Sequence, residues 1–123
     1  MSEKKPEKWP LEKVLAEGDF CKVIEVEGIP RGIQTYFPPL NSIDALNSHG
    51  SKYCGYIEFH LKQGDKFLSV RGDRFPLSTK SLLETSIKTN TEIRIQGLYN
   101  SHFKFFLVKK IEMANISYEE KRS

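Results

Sequence analysis

The stretch from Tyr53 to Arg74 constrains the fold most, because its pattern predicts two strands joined by a tight turn. Apolar and polar residues alternate from Gly55 to Leu61, which is the period of a half-buried strand. Gly64–Asp65 supplies the turn, since glycine readily adopts the positive φ that a tight hairpin needs. The alternation resumes over Lys66–Arg71. We therefore expect a β-hairpin at the centre of a mainly β domain.

The same alternation assigns each side chain of the hairpin to the core or to solvent. Ile57, Phe59 and Leu61 face the core from the first strand, and Leu68 and Val70 face it from the second. The opposite wall mixes aromatic rings with cations, and we expect two of its rings to lie side by side in water. This wall comprises Tyr56, Glu58, His60, Lys62, Phe67, Ser69 and Arg71, with Tyr56 and Phe67 as the adjacent rings.

Charge is distributed unevenly along the 123 residues, although the net charge is only +3. Counting Lys and Arg against Asp and Glu, residues 1–51 carry −2, residues 52–110 carry +6 and residues 111–123 carry −1. The basic excess coincides with the predicted hairpins, as expected if a phosphate backbone crosses them. The alternative is that these cations simply solvate exposed strand edges.

The remaining elements follow from turn residues and apolar spacing. Trp9 is expected to cover one end of the core, the alternative being a stacking role. Ser78 or Ser81 can cap the second helix, and Ser81 with Glu84 has the spacing of a capping box. The last strand has apolar residues on both faces, so either Phe105 with Leu107 or Phe106 with Val108 can face the core. The predicted elements are a helix over 9–18, a strand over 20–28 with Phe20 facing inward, a helix over 78–88, and strands over 92–98 and 103–113.

The chain is expected to form one domain over residues 9–115, with flexible polar tails at 1–8 and 116–123. A long connection over 34–52 contains an aromatic pair, Tyr36 and Phe37. This pair either contacts a ligand or partner or covers the open end of the sheet.

The order is strand, long loop, two strands, helix, two strands. In this order, and in the segments Gly55–Leu61, Lys66–Asp73, Glu92–Tyr99 and Phe105–Glu112, the sequence resembles OB-fold domains that bind single-stranded nucleic acid. More loosely, it resembles the small subunits of replication protein A and of telomere-capping complexes. The implied fold is a mainly β, five-stranded OB-fold barrel with a helix between strands 3 and 4 and a short N-terminal helix.

The resemblance implies binding on the face of strands 2 and 3, flanked by the loops between strands 1 and 2 and between strands 4 and 5. Bases would stack on aromatic rings while cations take the phosphates. Glu58 on this face counts against binding, because it repels phosphate. The implied nucleic-acid-binding residues on the face are Tyr56, His60, Lys62, Phe67, Ser69 and Arg71. Those in the flanking loops are Tyr36, Phe37, Tyr99 and His102, and the same loops also contain Asn100 and Phe103.

Enzymatic functions find little support in the sequence. Glycine-rich phosphate-loop spacing is absent, and the three histidines have no cysteines at metal-ligand spacing. We expect neither a catalytic residue nor a metal or cofactor.

Cys21 and Cys54 are expected to be reduced and buried in an intracellular protein, nuclear if the organism is eukaryotic. No apolar run approaches the roughly 20 residues of a membrane helix.

Two functions remain. The first is a single-stranded nucleic-acid-binding module, with DNA favoured over RNA, that works in DNA replication, repair or telomere maintenance. The second is a structural OB-fold subunit that docks on a larger protein partner through its last strand or its helices. The aromatic last strand, with Phe103, Phe105 and Phe106, suits the second function.

Overall fold

The structure, a computed structural model, describes residues 6–37 and 54–120. No helix in these two ranges is long and apolar enough to cross a membrane. The two helices are α1 (Leu11–Glu17) and α2 (Ser78–Thr89). The strands are β1 (Glu7–Lys8), β2 (Ile24–Tyr36), β3 (Cys54–Gln63), β4 (Lys66–Pro76), β5 (Ile93–Asn100), β6 (Phe105–Met113) and β7 (Ile116–Glu119).

Five of the strands close into a barrel. They neighbour one another in the order β2, β3, β4, β6, β5, and β5 pairs back onto β2. All of these contacts are antiparallel except the short one between β4 and β6, where Val70 lies opposite Phe106. The predicted five-stranded OB-fold barrel is confirmed, including the helix between its third and fourth strands and the short N-terminal helix.

The core fills the barrel with inward side chains from all five strands and with residues of both helices. The backbone N–H of Leu11 donates to Gln63 Oε1 at 3.0 Å, and Gln63 Nε2 donates to the Glu27 carbonyl at 2.8 Å. This amide thereby links α1 to β2 and β3. Trp9 packs against the core, as predicted. The largest fully buried side chains are Phe59, Phe75, Phe106, Leu11, Ile24, Ile57, Leu61, Leu68, Leu83, Ile93, Ile95 and Ile111.

Three barrel strands carry an extra residue that shifts which side chains face inward. On β2 the inward series ends at Pro30 and restarts at Ile33, next to Gly32, whose φ is +61°. On β4 the register jumps between Gly72 and Phe75. A β-bulge of this kind bends the strand and re-aims the side chains that follow it.

The bulge on β6 answers the open question of its register. Gln96 pairs with Lys110, but its neighbour Gly97 pairs with Val108, which leaves Lys109 as the extra residue. The buried residues are therefore Phe106, Val108 and Ile111. Neither predicted face of this strand is correct over its whole length.

The start of the first barrel strand differs from prediction. The chain turns at residues 20–22, where the Cys21 N–H donates to Asp19 Oδ1 at 2.9 Å, and β2 begins at Ile24. Phe20 is therefore 48% exposed rather than in the core, and Cys21 is exposed rather than buried. The side chain of Cys54 lies outside the described residues.

The predicted capping box does not form. Helix α2 starts at Ser78, with Leu77 as its N-cap and no side-chain cap hydrogen bond. Ser81 lies inside the helix, so the N–H groups it would have capped belong to the helix interior. The helix itself covers the predicted range, 78–88, and continues to Thr89.

Strands also occupy part of the expected tails. Glu7 and Lys8 pair with Ile24 and Glu25, and β7 pairs antiparallel with β6, with Tyr118 opposite Ile111. Tyr118 packs against the core, which explains why the chain continues in a regular structure beyond residue 115.

Candidate nucleic-acid interface

The outer face of β3 and β4 presents the side chains that the alternation predicts. Direct cross-strand pairs join Lys62 to Phe67, His60 to Ser69 and Glu58 to Arg71. Their neighbours Phe59, Leu61, Leu68 and Val70 are fully buried. In the solvent-facing set, His60, Phe67 and Arg71 are exposed, and Tyr56, Glu58, Lys62 and Ser69 are partly exposed.

Tyr56 and Phe67 share this face, but they do not lie side by side. Phe67 pairs with Lys62, six residues along β3 from Tyr56, which is about 20 Å at the rise of a strand. The two rings therefore lie at opposite ends of the face and cannot form one stacking platform.

Tyr56 instead neighbours Tyr36 of β2. The two residues are cross-strand partners, and their ring centroids lie 5.7 Å apart with an interplanar angle of 40°. Tyr36 is 61% exposed. Two tilted rings at this separation form a partly open aromatic surface at the edge where the β2–β3 connection leaves the barrel.

A chain of polar contacts extends from these rings across β3 to β6. The Tyr56 hydroxyl donates to Glu58 Oε2 at 2.7 Å, and Arg71 Nε lies 3.7 Å from the same oxygen. The Arg71 guanidinium carbon lies 4.8 Å from the ring centroid of Phe105, a cation–π arrangement. We call Tyr36, Tyr56, Glu58, Arg71 and Phe105 the transverse row, because together they cross four strands.

Burial and the Glu58 carboxylate raise the pKa of Tyr56 to about 12. Burial favours the neutral phenol, and the adjacent carboxylate repels a phenolate. Tyr56 therefore stays a hydrogen-bond donor throughout the neutral range and keeps Glu58 in position next to Arg71.

The predictions for the three aromatic residues Tyr36, Phe37 and Tyr99 in the flanking loops have different outcomes. Phe37 packs against the core, and its ring lies so close to Gly55 that a Cβ there would be 2.5 Å from it. Thus Phe37 helps to cover the barrel, whereas its neighbour Tyr36 faces solvent. Tyr99 is only 3% exposed and belongs to the core, so its ring is not available for stacking.

The turn between β5 and β6 presents the other predicted loop residues. The side-chain oxygen of Asn100 accepts the N–H groups of His102 and Phe103 at 3.0 and 2.9 Å, which holds the turn. The rings of His102 and Phe103 pack edge to face at 4.7 Å, and Phe103 is 70% exposed. This turn places an exposed ring just before Phe105 of the transverse row.

Sequence reasoning missed two residues of this surface. Phe105 had an ambiguous register, which the bulge at Lys109 explains, and its contact with Arg71 gave no sequence signal. Arg31 lies on β2 opposite His60, beyond the predicted end of the first strand. A longer first strand running through Gly32 would have found it. In the ranges 6–37 and 54–120, no group of three or more His, Cys, Asp or Glu side chains could hold a metal ion.

Comparison with known proteins supports the fold. No protein-family model matches the chain, and no curated protein sequence does. In three dimensions it is similar to a chain in the crystal structure of yeast Stn1 and Ten1, with a TM-score of 0.55 and 8% sequence identity. The match covers 91% of this chain and 64% of the other one. The present chain therefore spans less than two thirds of the length of the chain that it matches. At this identity the similarity establishes the fold: the chain is an OB-fold domain.

Proposed function

We propose that the protein binds single-stranded nucleic acid, DNA in preference to RNA, across the outer face of β3 and β4. The transverse row carries this proposal. It combines an open pair of rings, Tyr36 and Tyr56, with a cation, Arg71, in a line that crosses the strands between the two flanking loops. An OB-fold binds oligonucleotides on this face and between these loops.

Stacking on an aromatic ring contributes about 1–3 kcal/mol per base and requires no particular base, because every base has a π-face. Tyr36 is the most accessible ring of the row, so it supplies the first stacking surface in this proposal. Phe103 and Phe67, 70% and 51% exposed, offer further surfaces towards the other end of the face.

The similarity in fold to the yeast Stn1 and Ten1 structure supports a place in a telomere-maintenance complex with a larger protein partner. The resemblance of the sequence to small subunits of telomere-capping complexes points the same way. Such a role would place the protein in the nucleus of a eukaryotic cell.

The test is a fluorescence titration of the purified chain with single- and double-stranded oligonucleotides of about 15 nucleotides. We expect single-stranded DNA to bind most tightly, and Tyr36→Ala and Arg71→Gln each to weaken binding by roughly tenfold, equivalent to about 1.4 kcal/mol. Phe20→Ala and Lys88→Gln are matched controls, because both side chains are exposed and lie outside the row. Equal binding by row variants, controls and wild type would contradict the proposed site.

A second candidate function is protein docking, which a separate apolar surface favours. Three apolar side chains near the start of β2 are 42–48% exposed: Leu15 on α1, and Phe20 and Val23 in the segment that joins α1 to β2. Strand β6, the last strand predicted from the sequence, is less suited to docking than the sequence indicated, because Phe106 is buried. We expect Phe20→Ser to release a protein that co-purifies with the tagged chain, while Tyr36→Ala retains it. Loss of the protein with Tyr36→Ala alone would place the partner on the transverse row instead.

A further inference from the structure

A groove of about 360 Å³ lies on the outer face, at the end away from the tyrosine pair. It is bounded on one side by β2 and β3 and on the other by the segment that joins α2 to β5. Its lining includes two cations, Arg31 and Lys62, together with Asn90 and Glu92. Arg31 pairs across the strands with His60, and Lys62 pairs with Phe67, so the groove continues the face already described.

The cations of the groove differ from Arg71 in their partners. Within residues 6–37 and 54–120, neither Arg31 nor Lys62 forms an ion pair, and Arg31 donates only to the adjacent Pro30 carbonyl, at 3.3 Å. Arg71, by contrast, lies against Glu58 and over the Phe105 ring. A phosphate that binds Arg71 must therefore compete with the ion pair to Glu58, whereas no such pair engages Arg31 or Lys62 among the described residues.

We propose that Arg31 and Lys62, in this groove, bind a phosphate of the nucleic-acid strand. Arg71 instead remains part of the transverse row, where it lies over the Phe105 ring. That the ligand is a nucleic acid rests on the function proposed above. That the groove prefers a phosphate-like anion rests on its own side chains. Arg31 supplies a planar guanidinium fork suited to phosphate oxygens, and Lys62 supplies a compact charge.

The neighbouring groups set the strength of this site. Glu92 lines the groove, and Asp65 lies in the β3–β4 turn beside Lys66. The Glu92 carboxylate opposes the binding of a free anion in the groove.

The first experiment measures the salt dependence of oligothymidine binding between about 50 and 200 mM NaCl. We expect Arg31→Gln combined with Lys62→Gln to reduce the magnitude of the slope of log K against log salt by about 0.7, the value for one phosphate of a single strand. The charge-conserving pair Arg31→Lys and Lys62→Arg should keep most of the slope. Lys80→Gln with Lys88→Gln is the control, since these exposed lysines lie on α2. An unchanged slope in the groove variant, or an equal reduction in the control, would overturn the proposal.

A second experiment does not depend on nucleic acid. Pyrophosphate is titrated into the full chain while backbone amide resonances are followed. We expect saturable shifts at Lys62 and Gly64 that disappear in the double glutamine variant. If pyrophosphate shifts these amides but oligonucleotides do not bind, the anion site stands and the proposed function fails. If oligonucleotides bind without any contribution from the groove, the function stands and this inference fails.

Discussion

Tyr36 and Tyr56 meet on the outside of the barrel because of one additional residue in β2. Inward positions are even-numbered from Ile24 to Pro30, so unbroken alternation would turn Tyr36 into the core. The bulge at Gly32 shifts the phase by one, which turns Tyr36 outward against Tyr56 and Phe37 inward. The aromatic pair that carries the proposed function is thus a consequence of backbone geometry at Gly32, four residues before Tyr36.

Substitution of Gly32 should therefore affect both stability and binding. Its φ of +61° is in the left-handed region, where a Cβ costs roughly 1–2 kcal/mol, although the nearest atom to an added Cβ is 3.8 Å away. We expect Gly32→Ala to lower the free energy of unfolding by about that amount, measured by chemical denaturation. Gly32→Asn should cost less, since asparagine tolerates this conformation. Equal losses in both variants would indicate a steric origin rather than backbone strain.

The Glu58 carboxylate is expected to weaken binding rather than support it. Its ion pair with Arg71 joins side chains that are 33% and 49% exposed, and surface pairs of this kind contribute about 0–1 kcal/mol. We expect Glu58→Gln to change the free energy of unfolding by less than about 1 kcal/mol and to tighten oligonucleotide binding, since one negative charge leaves the row. A denaturation curve gives the free energy of unfolding, and a fluorescence titration of the same preparation gives the oligonucleotide affinity. Weaker binding by this variant would mean that Glu58 orients Arg71 productively. Glu84→Gln on α2 is the control for net charge.

Tyr99 is expected to affect stability without a direct effect on binding. Its ring is 3% exposed and contacts the space above Gly18, where an added Cβ would be 2.9 Å from it. Truncation of a buried aromatic residue costs about 3–5 kcal/mol, so Tyr99→Ala should unfold at much lower denaturant concentration. Tyr36→Ala should stay within about 0.5 kcal/mol of wild type, as is usual for exposed sites. Tyr99→Phe, which keeps the ring, should retain oligonucleotide affinity, and a loss of affinity there would return Tyr99 to the binding site.

The outcome for Tyr99 illustrates what sequence patterns can and cannot predict here. The hairpin of β3 and β4 was predictable because side chains alternate regularly over Gly55–Leu61 and again over Lys66–Arg71, on either side of the turn. Tyr99 was also within reach, since it continues the inward series of Ile93, Ile95 and Gly97.

The strands with bulges were not predictable in the same way. A single extra residue, at Gly32 or at Lys109, reverses the phase of every side chain after it and leaves composition unchanged. The contact between Arg71 and Phe105 joins residues more than 30 positions apart and depends on the pairing of β4 with β6, which periodicity does not predict.

The raised pKa of Tyr56 gives a prediction for alkaline pH. An unfolded tyrosine ionises near pH 10, whereas Tyr56 in the folded protein ionises at about 12, because burial and Glu58 both disfavour the phenolate. The folded state therefore retains a proton that the unfolded state loses. The resulting stabilisation is complete below about pH 10 and is lost as the pH rises from about 10 to 12. Denaturation curves measured across this range should show the decline in wild type and a smaller decline in Tyr56→Phe. Tyr36→Phe is the matched control, and a decline as steep in Tyr56→Phe as in wild type would show that Tyr56 is not its source.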